Sequence, residues 1–201
     1  MPLNWVAPVY DWYCAKVGLG KKFRQRTLEL AGVREGERVL DAGCGTGVLT
    51  RMAAALTGPS GYVAGIDPAP RMIGVARSNA SAEGSRAEFR LGVIEELPFP
   101  DNSFDCVLSS FMAHHLPPEV KLKGFGEVYR VLRPGGRFLV VDIGRPSNPL
   151  WWAAVFPLLF WSFTKDQIRG RLNGYFLESG FPEVEQKGWW MGLINFWLAR
   201  K

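Results

Sequence analysis

Short hydrophobic runs alternate with longer amphipathic stretches along most of this chain. The runs have the length of buried strands and lie at 38–42, 62–66, 87–91, 104–109 and 138–142. The stretches between them have helical spacing and predict helices at about 48–56, 71–82 and 118–132, the last one stopped by a sharp turn at 133–136. This alternation is typical of a doubly wound α/β fold, whose mostly parallel sheet binds ligands at the carboxyl ends of its strands.

The remaining segments are less regular. They predict a helical lead-in at about 10–31, an aromatic segment at 150–163, a helix at 165–179 and β-like runs near 183–189 and 192–199. The last two runs bring the expected sheet to seven strands, with helices on both faces. We interpret the chain as one domain with three parts: the lead-in at 1–35, a ligand-binding core at 36–145 and a substrate-side segment at 146–201.

Composition narrows the class of protein. The 201 residues, 47% of them hydrophobic and 13% aromatic, suffice for a sizeable core and exclude an intrinsically disordered chain. The longest apolar stretch, 150–163, is too short to cross a bilayer and contains Pro157. Three separated cysteines without CxxC spacing indicate neither a disulfide framework nor a metal site, and the first eleven residues lack a signal peptide's pattern. We therefore expect a cytoplasmic protein, and the net charge of +5 permits an anionic partner without identifying one.

The clearest chemical signal is the glycine-rich loop at 43–47, which follows a strand and precedes a helix. Glycines allow a tight turn and let a ligand approach the backbone closely. A dinucleotide fingerprint requires a small third residue at position 48, which is Val48 here, and no phosphate-binding P-loop is present. The spacing therefore predicts a ligand that contains a nucleoside but no pyrophosphate.

Two acidic residues flank this loop. Asp67 ends the second strand, where a carboxylate can accept both hydroxyls of a ribose, although it could also cap the following helix. Asp41 directly precedes the glycines, where it could meet a cationic amino or sulfonium group or brace the loop. Both acids are candidate ligand-binding residues.

Four motifs together resemble the class I S-adenosylmethionine-dependent methyltransferases. They are DAGCGTG at 41–47, GID at 65–67, EELPFPDNSFD at 95–105 and LRPGG at 132–136, in the order and spacing of that family. The segments APVYD at 7–11 and GVREG at 32–36 are similar to the branch that methylates quinone precursors. Small-molecule and phospholipid methyltransferases share much of the pattern.

The resemblance implies a Rossmann-like fold and S-adenosyl-L-methionine as the methyl donor. It also implies a set of cofactor-binding residues at the strand ends: Asp41, Gly43, Gly45, Thr46, Gly47, Asp67, Pro68, Met72, Val93, Ile94 and Ser109. The chain departs from the family at Val93, where an acid or asparagine often accepts the adenine amino group. We therefore expect weaker adenine selectivity with binding retained.

A carbon, oxygen or neutral nitrogen acceptor needs a base to take its proton. The chain has only two histidines, His114 and His115, just beyond the fourth strand and on the reaction side of the fold. They are the candidate catalytic residues, with packing or helix capping as the alternative. Tyr10 and Tyr13, on the lead-in, are alternative residues for orienting the acceptor.

The acceptor is expected to be small and lipophilic, such as a quinone precursor. The loop after the fourth strand lacks the Asn/Asp-Pro-Pro-Tyr/Phe motif of the enzymes that methylate DNA bases or protein amides, and no basic stripe indicates nucleic acid. Segment 150–163 contains six aromatic residues, which fits a lipophilic pocket, a lid that touches the membrane, a buried helix or a homodimer contact. Two alternative functions stay open, a phospholipid amine N-methyltransferase and a non-catalytic regulatory or scaffold protein that binds the donor.

Overall fold

The strands of the protein form one mixed sheet. The structure, a computed structural model, describes residue 12 and residues 14–149, 151–152 and 165–201. Within these residues the strands are β1 (Arg38–Ala42), β2 (Tyr62–Asp67), β3 (Glu88–Leu91), β4 (Phe104–Ser110), β5 (Leu132–Ile143), β6 (Glu183–Trp190) and β7 (Ile194–Arg200). They lie in the order β3-β2-β1-β4-β5-β7-β6. Only β7 runs in the opposite direction to the other six strands. The predicted seven-stranded, mostly parallel sheet is confirmed.

Helices cover both faces of the sheet. The described helices are α1 (Lys21–Ala31), α2 (Val48–Thr57), α3 (Pro70–Ala82), α4 (Pro118–Val131), α5 (Lys165–Ile168) and α6 (Leu172–Glu178), with a 3₁₀ turn at Ala113–His115. Alternate residues of a strand enter different cores: Leu40 packs with Phe125 of α4, whereas Val39 packs with Phe23 of α1. The central strands are therefore apolar over most of their length, as parallel strands covered on both faces are.

Two predicted elements differ from the structure. The helix expected at 165–179 is interrupted between α5 and α6, where Gly170 has a φ of +80°. The turn expected at 133–136 is instead an irregularity within β5, since Leu132 pairs with Phe104 and Arg137 already pairs with Cys106. Both differences arise where backbone geometry at a glycine, rather than the hydrophobic pattern, decides the local structure.

The carboxyl ends of the parallel strands form one edge of the sheet, and the lead-in and the β6–β7 turn reach the same edge. Ile143, the last residue of β5, pairs with Ile194 at the start of β7. The Trp190 indole N–H donates to the Gly18 carbonyl oxygen at 3.1 Å, and Phe23 of α1 packs edge-on against the Trp190 ring. These contacts hold α1, whose Phe23 lines the cleft described below, against the end of β6.

Candidate functional site

The glycine loop is fastened to the neighbouring strand. The backbone N–H groups of Gly43 and Cys44 both donate to the Ile66 carbonyl oxygen of β2, each at 2.9 Å. Gly45 has a φ of +54°, and a Cβ built on it would meet nothing within 4 Å. The backbone at Gly45 therefore faces open space in the cleft, where a ligand can approach it closely.

Gly47 has a different role in the same loop. Its φ is +74°, and a Cβ added to it would lie 2.5 Å from the Phe89 ring and 3.0 Å from the Ala76 side chain. It is the residue that precedes α2 and does not line the cleft. The sequence placed Gly47 among the cofactor-binding residues, whereas the structure shows it allowing α2 and β3 to pack closely.

Alanine substitutions distinguish these two glycines. Gly47→Ala is expected to lower the free energy of unfolding by about 3 kcal/mol, because a left-handed backbone and a steric clash both oppose the new side chain. Gly45→Ala, which meets only the backbone cost, is expected to lower it by about 1 kcal/mol. Urea unfolding of the ligand-free protein measures both values, and equal losses would contradict the packing role.

Asp67 connects the glycine loop to the start of α3. Its Oδ2 accepts a hydrogen bond from the Gly45 N–H at 3.0 Å, and its Oδ1 accepts one from the Ala69 N–H at 2.8 Å. Burial raises the pKa of this carboxyl, while the two backbone hydrogen bonds oppose the rise. The carboxylate lines the cleft at the end of β2, where it can accept hydroxyl groups of a bound nucleoside.

Asp41 is the more deeply buried acid, with 1% of its surface exposed. The Thr50 hydroxyl of α2 donates to its Oδ2 at 2.6 Å. Burial raises the pKa of Asp41 to about 6, and the Asp67 charge adds to the rise, while Thr50 and Arg24 oppose it. Asp41 therefore braces the loop against α2 and also provides negative charge beneath the cleft.

The cleft between these elements has a volume of about 520 Å³ and mainly apolar walls. The predicted cofactor-binding residues that line it are Asp41, Gly43, Gly45, Thr46, Asp67, Pro68, Met72, Val93 and Ile94. Residues of the lead-in, of α1 and of the segment after β4 line it as well, and the sequence did not identify them: Cys14, Leu19, Phe23, Arg24, Phe111, Met112 and Leu116. No local motif marks them, because tertiary packing brings the lead-in, α1 and the segment after β4 together at the cleft.

Ser109 is not in the cleft. Its side chain is buried, and its Oγ has no hydrogen-bond partner within the described part of the chain. The next residue, Ser110, lines the cleft instead. Successive side chains of a strand point to opposite faces, so a one-residue error in the position of a site residue on β4 moves it to the wrong face.

The two histidines occupy different positions. His115 lines the cleft, and burial, together with the neighbouring His114, lowers its pKa. His114 does not line the cleft, and its Nδ1 lies 2.7 Å from Oδ1 of Asp142 on β5. The structure therefore leaves His115 as the candidate proton acceptor and separates His114 from direct contact with a ligand.

Several predicted features lie outside the described residues. Tyr10 and Tyr13 are among them, and so is the aromatic segment 150–163 except for Trp151 and Trp152. Among the residues that are described, none of the helices is long and apolar enough to span a bilayer. The same part of the chain contains no group of three or more His, Cys, Asp or Glu side chains that could hold a metal ion.

Known proteins resemble this chain in sequence and in fold. A family profile described as "Methyltransferase domain" matches residues 39–136. A curated relative from Hahella chejuensis, "Ubiquinone/menaquinone biosynthesis C-methyltransferase UbiE", is 39% identical over 72% of this chain and 62% of its own length. The chain spans between 52% and 62% of the length of the first curated relatives that it matches.

Two solved structures resemble the fold. The YcgJ protein from Bacillus subtilis has a TM-score of 0.66 and 30% identity, over 83% of this chain and 70% of its own. A SAM-dependent methyltransferase from Aquifex aeolicus has a TM-score of 0.71 with 21% identity, over 88% of each chain. The second likeness concerns the fold alone.

Proposed function

Because the chain belongs to the class I S-adenosylmethionine-dependent methyltransferases, we propose that it methylates a small, lipophilic acceptor of the quinone-precursor class. The observation that carries this proposal is one cleft in which the open glycine loop, two carboxylates and the His115 ring meet. The name of the Hahella chejuensis relative, a C-methyltransferase of quinone biosynthesis, supports the acceptor class. Fold alone would not, since one fold carries many functions.

The residues that line the cleft suit the chemistry of S-adenosyl-L-methionine. Gly45 leaves the loop backbone open, and the Asp67 carboxylate is placed to accept ribose hydroxyls. Asp41 offers negative charge to the cationic methionine end, and the side chains of Ile66 and Met72 give an apolar wall for the adenine. Val93 supplies no acceptor for the adenine amino group, so adenine contacts there fall to backbone groups. When bound, the donor supplies a methyl group that its sulfonium has already activated.

His115 is suited to take a proton from the acceptor. Its ring lies on the cleft wall, and its lowered pKa keeps it neutral at neutral pH. A neutral imidazole has a free nitrogen that can accept a proton, whereas a protonated one has none. His115 is therefore in the form that can accept a proton at neutral pH.

The lead-in, residues 151–152 and the β6–β7 turn carry an exposed apolar surface. We call it the aromatic rim, and its exposed residues are Trp12, Val17, Trp152, Trp189 and Met191. The rim joins the lead-in to the β6–β7 turn, because Trp190 bonds to Gly18 and the Ser147 N–H donates to the Gly192 carbonyl oxygen at 2.9 Å. Contiguous exposed apolar residues mark a surface that meets a partner or a membrane.

The charge around the rim favours an anionic membrane. The described segments that build it, residues 12, 14–22, 144–149, 151–152 and 189–193, contain Lys16, Lys21, Lys22 and Arg145 and no acidic residue. Tryptophan prefers the membrane–water interface, and basic residues add attraction to anionic lipid. We propose that the rim rests on an anionic membrane, from which a lipophilic acceptor enters the cleft.

One assay tests both the acceptor class and the membrane contact. Radiolabelled methyl transfer is measured with a demethylated quinol that carries a long prenyl chain in anionic vesicles, and with a short-chain analogue in solution. Both acceptors are expected to be methylated. Transfer to phosphatidylethanolamine instead would indicate the phospholipid alternative, and donor binding without any transfer would indicate a non-catalytic protein.

Substitutions on the rim separate the two parts of the proposal. The double variant Trp189→Ser, Met191→Ser is expected to slow transfer to the vesicle-bound acceptor by about 30-fold or more, since the two apolar side chains each add about 1–2 kcal/mol to membrane affinity. Its transfer to the short-chain acceptor should not change. Leu177→Ser is the matched control, because Leu177 is as exposed, at 57%, but lies on α6. Equal rates for all three proteins on vesicles would overturn the membrane contact and leave the acceptor class intact.

A further inference from the structure

Asp142 is a fully buried acid at the carboxyl end of β5, next to the candidate base but outside the cleft. Its Oδ2 accepts the His114 backbone N–H at 3.0 Å, and its Oδ1 accepts the Ile143 N–H at 2.7 Å. Oδ1 also lies 2.7 Å from His114 Nδ1. A carboxylate only accepts hydrogen bonds, so Nδ1 of His114 carries the proton and the tautomer of this ring is fixed.

His114 links Asp142 to the cleft. Its ring centroid is 3.8 Å from that of His115, with 45° between the ring planes. The two rings share the 3₁₀ turn, where the His115 N–H donates to the Met112 carbonyl oxygen at 3.0 Å. The His114 ring, which the buried Asp142 carboxylate holds, therefore packs against the His115 ring.

Charged groups from other elements surround Asp142. Lys121 of α4 is fully buried, interacts electrostatically with both Asp142 and Asp166 of α5, and has its pKa lowered by burial. Asp166 accepts a hydrogen bond from the Tyr175 hydroxyl at 3.1 Å. Asn195 of β7 is the register partner of Asp142. Within the described residues Asp142 is the acid bonded to a histidine, and Asp166 is a nearby buried acid that is not.

We propose that Asp142 is a positioning residue which, through its hydrogen bond to His114, holds the His115 ring in place as the proton acceptor of the reaction. This inference rests on the proposed function. Methylation of a carbon or oxygen uses an electron pair of the acceptor for the new bond to the methyl carbon. The sulfur keeps the pair of the broken bond and becomes a neutral thioether, so the one proton that the acceptor loses is the one His115 takes.

The first test is spectroscopic and needs no acceptor. With only two histidines in the chain, ¹⁵N-histidine labelling gives two ring systems, which His114→Asn assigns. Asp142→Asn is expected to abolish the single Nδ1–H tautomer of His114 and to shift the His115 signals, because an amide nitrogen then faces a backbone or ring N–H. Asp166→Asn is the matched control and should change neither. Unchanged histidine signals in Asp142→Asn would overturn the proposal.

The second test is kinetic. Asp142→Asn is expected to lower kcat by about 10- to 100-fold, with the donor Kd unchanged within about twofold. The acid limb of its pH–kcat profile should move to lower pH, because the Asp142 charge raises the pKa of His115 and is then lost. His114→Asn keeps a hydrogen-bond donor for Asp142 but removes the imidazole ring, and its kcat should fall as much as that of Asp142→Asn. This variant therefore tests the proposal even if Asp142→Asn fails to fold. Full turnover in His114→Asn would overturn the proposal.

The two tests fail in different ways if the proposed function is wrong. No transfer by the wild type to any quinone precursor would remove the proposed function, and with it the part of His115 as the proton acceptor. The tautomer measurement would still decide whether Asp142 fixes the histidine pair. Altered histidine signals combined with normal kcat would show that the pair is structural, which also overturns the positioning role.

Discussion

Replacing Asp67 with alanine is expected to weaken the binding of S-adenosylmethionine by about 100-fold or more. Hydrogen bonds to a charged group are each worth about 1.5–3 kcal/mol, and a ribose would lose two of them. The substitution also releases the Gly45 and Ala69 N–H groups that Asp67 holds. Isothermal titration calorimetry on the purified protein measures the affinity, with nicotinamide dinucleotides as competing ligands.

Two further variants control this measurement. Asp67→Asn keeps one acceptor oxygen and should lose only about tenfold in affinity. Asp101→Ala removes an exposed acid that is bonded to Arg130 on the far side of the molecule, and should bind the donor like the wild type. Affinity of Asp67→Ala within about threefold of wild type would contradict the ribose contact of Asp67, whereas preference of the wild type for a dinucleotide would contradict the cofactor assignment.

Asp41→Asn is expected to stabilise the ligand-free protein at neutral pH and to weaken donor binding. The folded pKa of Asp41, about 6, lies above its ordinary value of 3.8, so the folded state holds this proton more tightly than the unfolded state. The stabilisation from the protonated carboxyl is complete below about pH 4 and is lost as pH rises to about 6. At neutral pH the variant, which cannot ionise, should be more stable by up to about 3 kcal/mol.

Urea unfolding at about pH 4.5 and pH 7.5 measures this difference. Thr50→Val is the matched control, because it removes the hydrogen bond that lowers the pKa of Asp41. The folded pKa of Asp41 should then rise, and the loss of stability should continue to a higher pH than in the wild type. Donor affinity of the wild type should fall between about pH 7 and pH 5, as a proton competes for Asp41, and that of Asp41→Asn should not. If Asp41→Asn is less stable than the wild type at both pH values, burial of the ionised Asp41 carboxylate does not destabilise the fold.

Hydrophobic periodicity was sufficient to predict the sheet. The runs that became β1, β2 and β4 are buried on both faces, which makes them nearly continuous in apolar residues and easy to locate. The same property hides which face of a strand meets the ligand. Ser109 and Ser110 are therefore indistinguishable in the sequence, and in the structure it is Ser110 that lines the cleft.

The loop residues were predictable because their spacing is local, and the long-range partners were not. Gly45, Asp41 and Asp67 lie in short motifs at strand ends, where the fold brings them together. The pair formed by His114 and Asp142 is separated by 28 residues, and no spacing rule connects the two. Gly47 illustrates the remaining limit, since a glycine kept for packing and one kept for a ligand look alike in sequence.

Cys44 lies in the glycine loop and lines the cleft that would hold an alkylating molecule. Only the thiolate form of cysteine is a strong nucleophile. Burial raises the pKa of the Cys44 thiol far above its usual range, and the charges of Asp41 and Asp67 raise it further. Burial, reinforced by the two carboxylates placed to attract a cationic methyl donor, thus keeps the Cys44 sulfur protonated, which protects the loop from alkylation by its own ligand.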